Sequence, residues 1–70
     1  MSESTRVLLN GDTRRVPPGS SIASLLESEG LAQHRVAVEV NGEIVPRGQH
    51  AVRLLADGDK VEIVHALGGG

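Results

Sequence analysis

Val36-Ala37-Val38-Glu39-Val40-Asn41-Gly42-Glu43-Ile44-Val45 decides the fold. Val36, Val38 and Val40 alternate with Ala37 and Glu39, the period of a strand that buries one face. Asn41-Gly42 is a two-residue hairpin signal, because a type I′ turn asks for positive φ at both central positions. Glu43-Ile44-Val45 is then the returning strand, and Pro46 with Arg47-Gly48 breaks the run. Upstream, Arg6-Val7-Leu8-Leu9, Asn10-Gly11 and Thr13-Arg14-Arg15-Val16 repeat the pattern and predict a second hairpin, ended by Pro17-Pro18-Gly19.

Between the hairpins, Ser20 and Ser21 are candidate N-caps for a short helix. Ile22, Leu25 and Leu26 fall at helical spacing, with Gly30 as a left-handed stop. That apolar stripe is too narrow to hold a helix of under about three turns alone, so the helix must lie across a sheet. Downstream, residues 49–55 are irregular, with Val52, Leu54 and Leu55 expected to pack under a connecting segment or short strand. Ala56-Asp57-Gly58-Asp59 predicts a tight turn, and Lys60-Val61-Glu62-Ile63-Val64-His65 a last strand with Val61 and Ile63 on one face. Two hairpins, one helix and a final strand form an α+β layout of four to five strands, with one helix across one face of a mixed sheet. By topological analogy, the first and last strands pair in parallel at its centre.

Seventy residues make one domain with a thin core. With no Phe, Tyr or Trp, that core is aliphatic, and with no Cys the chain has neither disulfides nor a thiol nucleophile. The formal charge of −2, from 7 basic and 9 acidic residues spread along the chain, gives no basic stripe for nucleic acid. No apolar run approaches the length of a membrane span, and the polar Met1–Arg6 stretch lacks a secretory layout, so a cytoplasmic location is expected. His34, His50 and His65 show no ligand spacing on one helix and are expected at the surface, with no metal site. Arg14, Arg15 and Arg53 read as solvated charges rather than site residues.

Residues 1–67 are thus expected to form the folded domain and residues 68–70 a flexible glycine tail. Gly68-Gly69-Gly70 has no Cβ atoms, so it suits passage through a narrow channel that presents the Gly70 carboxylate to a reacting centre. A carboxylate becomes a useful electrophile only after activation, for example as an acyl adenylate. No phosphate-cradling Gly-rich loop is present to do this, so the chain reads as a co-substrate of partner enzymes with no catalytic residues of its own. Val64 and Leu67, beside the tail, are candidate docking residues, with core packing an equal explanation.

Leu9-Asn10-Gly11-Asp12, Val40-Asn41-Gly42-Glu43-Ile44-Val45-Pro46-Arg47, Asp57-Gly58-Asp59-Lys60-Val61-Glu62-Ile63 and the terminal diglycine together resemble the ThiS family of thiamine-biosynthesis sulfur carriers. The resemblance covers nearly the whole chain and implies a ubiquitin-like β-grasp fold. It further implies that an E1-like adenylyltransferase, using ATP and Mg²⁺ that this chain does not itself bind, adenylates Gly70. A sulfur donor such as a cysteine desulfurase would then yield a terminal thiocarboxylate, which passes sulfur to thiazole synthase. By motif, Gly69 and Gly70 are the diglycine, and Gly68 precedes the pair with no separate role assigned. Three other readings stay open: a carrier for molybdopterin or another sulfur pathway, a ubiquitin-like protein modifier, and a non-catalytic interaction domain with an idle tail.

Overall fold

A computed structural model describes residues 4–65. Strands β1 (Thr5–Leu9) and β2 (Asp12–Val16) precede helix α1 (Ile22–Ser28); β3 (Val36–Val40), β4 (Glu43–Val45) and β5 (Lys60–His65) follow. They build one mixed sheet in the order β2-β1-β5-β3-β4. The two hairpins form as their dipeptides require: φ is +49° and +89° at Asn10 and Gly11, and +54° and +86° at Asn41 and Gly42. β5 slots between them, parallel to β1 through Leu8↔Lys60 and Leu9↔Val61 and antiparallel to β3 from Val36↔His65 to Val40↔Val61. The parallel pairing of the first and last strands, expected by analogy, is therefore present.

Helix α1 starts where Ser21 Oγ accepts from Ser24 N at 3.1 Å and ends at Glu29, beyond which Gly30 takes φ +76°. Ile22, Leu25 and Leu26 are buried against Val7, Leu9, Val16, Val38, Val40, Leu55, Val61 and Ile63, giving a core made wholly of Val, Leu and Ile. The helix is seven residues long, so this burial rather than intrinsic propensity holds it.

The segment between β4 and β5 departs from expectation. Leu55 is buried as expected, but Val52 and Leu54 are 65% and 55% exposed. The backbone of this segment serves the start of the helix, whose first N–H groups have no partner within it. Ile22 N donates to Arg53 O at 3.0 Å, Ala23 N to His50 O at 2.8 Å, and Leu55 N to Ser20 O at 2.8 Å. With its carbonyls committed there, the segment leaves the Val52 and Leu54 side chains outside. His50 is also corrected: it is buried, not a surface histidine, and its Nε2 lies 3.1 Å from Val45 O.

Candidate functional site

β5 organises the candidate site, because it is at once the middle of the sheet and the element that leads into the glycine tail. Its odd positions Val61 and Ile63 pack under the helix, and its even positions point to the face the helix leaves open. Val64 is 62% exposed there and lies outside the buried core. Leu67, Gly68, Gly69 and Gly70 lie outside the described residues.

Register partners share a face, so the surroundings of Val64 follow from the pairing. Ala37 stands opposite Val64, Glu39 opposite Glu62, and Ile44 opposite Glu39 on its other side. Ile44 is 63% exposed, and Leu8, opposite Lys60, is 36% exposed. The open face thus carries aliphatic side chains, Leu8, Ala37, Ile44 and Val64, around two carboxylates on neighbouring strands. Like charges directly opposite are unfavourable, so a cation beside Glu39 and Glu62 relieves their repulsion. Lys60, two positions from Glu62 on the same face of β5, lines one hollow with both carboxylates, whereas Arg6 and Arg15 are register partners on β1 and β2. Sequence reading missed Ile44 and Leu8 as surface residues. In a three-residue strand alternation is barely expressed, although the pairing Val38↔Val45 implies that Ile44 points the opposite way from the core.

Two turns clamp β5, and a third holds β1. Asn10 N donates to Val61 O at 2.9 Å, its Oδ1 accepts from Ile63 N at 2.8 Å, and its Nδ2 donates to Ile63 O at 3.2 Å. Asn41 N donates to Lys60 O at 2.8 Å, its Oδ1 accepts from Lys60 N at 3.0 Å, and its Nδ2 donates to Asp59 Oδ1 at 2.9 Å. Asp57 Oδ1 accepts from Arg6 N at 2.8 Å. Each asparagine that enables a hairpin by tolerating positive φ also clamps the final strand.

The remaining charged candidates have local duties. Arg14 Nε meets Glu29 Oε2 at 3.1 Å, tying β2 to the end of α1, and Arg15 donates to Ser4 Oγ at 3.1 Å. His34 and His65, distant in sequence, are brought together with ring centroids 5.6 Å apart, edge to face. Among the described residues, no group of three or more His, Cys, Asp or Glu is placed to hold a metal ion. A hollow of about 240 Å³ beside α1 includes His34, Arg47 and His50 in its wall, and the His50 ring already faces the Val45 carbonyl. No helix among the described residues is long and apolar enough to cross a membrane.

Comparison with known proteins places this geometry. The ThiS family model matches residues 7–70. The chain is 31% identical over 65 residues to the sulfur carrier protein ThiS of Escherichia coli, covering 93% of this chain and 98% of that one. It is 40% and 37% identical to thiazole synthases of Paramagnetospirillum magneticum and Magnetococcus marinus, again over 93% of this chain, but it spans only 20% of their length. The crystal structure of the thiamine biosynthesis protein ThiS from Geobacter metallireducens superposes with a TM-score of 0.81 at 32% identity, covering 94% of this chain and all of that one. With a family match running from β1 through Gly70 and the same fold in that solved relative, the chain belongs to the ThiS family.

Proposed function

We propose that this protein is a sulfur carrier for thiazole formation in thiamine biosynthesis, acting as a co-substrate through the carboxylate of Gly70. The observation that carries the reading is the family match over residues 7–70, which takes in the final glycines as well as the fold. The relative from Escherichia coli, named a sulfur carrier, supports it over nearly its own full length. An E1-like adenylyltransferase joins the Gly70 carboxylate to AMP, releasing pyrophosphate from ATP. Sulfide then displaces AMP to leave a thiocarboxylate directly, or the persulfide of a donor such as a cysteine desulfurase displaces it to give an acyl disulfide that thiols reduce to the thiocarboxylate, themselves becoming a disulfide. ATP and Mg²⁺ belong to the activating enzyme. Thiazole synthase is the proposed acceptor, supported by the similarity of this chain to about a fifth of two proteins of that name. All of these steps are placed in the cytoplasm.

The open face of the sheet is the proposed docking surface, with Val64 on its central strand, and Leu67, nearer the tail in sequence, is proposed to contribute to docking. Aliphatic side chains exclude water at the middle of such a contact, and Glu39 with Glu62, outnumbering Lys60 beside them, favours a basic partner residue. Gly68 and Gly69 serve as the narrow lead to Gly70, since a glycine backbone passes where a side chain would clash.

The test is intact mass of the chain after incubation with an E1-like partner, ATP, Mg²⁺ and a sulfide source. Replacement of one oxygen by sulfur, lost when Gly70 is deleted, supports the carrier. No change with a partner shown active on another carrier rejects it, and conjugates to lysines of other proteins would favour a modifier instead.

A further inference from the structure

We infer that Asn10 is a positioning residue for the terminal chemistry: its carboxamide fixes the line along which the chain leaves β5. This rests on the carrier reading above. β1 abandons the sheet at Asn10 to make its turn, and its last register pair with β5 is Leu9↔Val61. β5 continues to His65, so its final residues have lost β1 as a backbone neighbour while β3 still accompanies them through Val36↔His65. Held on one side only, a strand end swings about that side.

The Asn10 side chain supplies the missing side. Its amide has the donor and acceptor of a peptide group, and it offers both to one residue: Oδ1 to Ile63 N at 2.8 Å and Nδ2 to Ile63 O at 3.2 Å. The parallel ladder is in effect prolonged by a side chain, two residues short of the end of the strand. Asn41 makes a comparable clamp on Lys60 and Asp59, but at the opposite end, where β5 begins. The two asparagines share their turn geometry and the number of side-chain bonds, and differ in which end of the strand they hold. Ile63 stands seven residues before Gly70, and acyl activation is sensitive to misplacement on the scale of an ångström.

Glycine is the informative substitution, because it removes the carboxamide while keeping the positive φ of the turn. Wild type, Asn10→Gly and Asn41→Gly are compared in carrier-dependent ATP–pyrophosphate exchange by an E1-like adenylyltransferase active on another ThiS protein, with carrier concentration varied. Circular dichroism at the assay temperature establishes that each variant is folded. For Asn10→Gly, KM stays within about twofold, since the docking face is untouched, and kcat falls about tenfold or more. Asn41→Gly leaves both constants within about twofold of wild type. Wild-type kcat in Asn10→Gly, or an equal loss in Asn41→Gly, overturns the positioning role while the carrier reading stands. Silence of the wild-type chain itself would instead bring down the carrier reading, and the positioning role with it.

Discussion

Asn41 Nδ2 donates to Asp59 Oδ1 at 2.9 Å, joining the tip of the second hairpin to the turn that precedes the last strand. Asp59 is buried, and its other oxygen accepts from Ala56 N at 2.8 Å. Asp59→Ala strands both donors, at a cost of about 1–3 kcal/mol. In a domain of this size each kcal/mol lowers the melting temperature by roughly 4–8 °C, so calorimetry should show a fall of at least several degrees. An unchanged melting temperature would mean that water replaces the carboxylate without loss.

Ile22 is fully buried at the first turn of α1 and touches the sheet through the core. Truncation to alanine removes aliphatic contacts that no aromatic neighbour can replace, and is expected to cost about 2–5 kcal/mol. Urea titration of Ile22→Ala against wild type measures this directly. A midpoint within error of wild type would contradict the claim that burial holds the helix.

Gly30 and Gly48 separate backbone strain from crowding. A Cβ would meet nothing within 4 Å at either position, but only Gly30 has a left-handed φ, +76°. Gly30→Ala should destabilise by about 1–2 kcal/mol, and Gly48→Ala should stay within about 0.5 kcal/mol of wild type. Equal effects in thermal melts would show that φ is not what matters.

Val64→Asp places a charge on the open sheet face beside Glu62 and opposite Ala37. Since Val64 is 62% exposed, stability should change by no more than about 0.5 kcal/mol. Docking should suffer far more, with KM for adenylation rising about tenfold or more. Adenylation kinetics at varied carrier concentration test this, and an unaltered KM would move the docking surface elsewhere.

What the sequence disclosed, it disclosed through local rules. Asn10-Gly11 and Asn41-Gly42 fix their turns within two residues, and the valines of β3 state their face by period. Ser21 and Gly30 bound the helix by capping chemistry that needs no knowledge of the rest of the chain. The burial of His50 and the exposure of Val52 and Leu54 were not legible, because they follow from carbonyls of one segment serving the helix start of another. The second duty of Asn10 was equally hidden, since its partner Ile63 lies 53 positions away. The candidate site divides the same way: Val64 was legible as the neighbour of the tail, whereas Ile44 and Leu8 joined it only through strand order.

The central place of β5 has a mechanical consequence. A force applied at its C-terminal end runs along the strand, and its hydrogen bonds to β1 and β3 lie across that direction on both sides. The bonds are therefore loaded together in shear, whereas an edge strand pulled outward would unzip them one after another. A partner enzyme can haul on this terminus as on a rope set in the middle of a plank, and the domain resists as a whole.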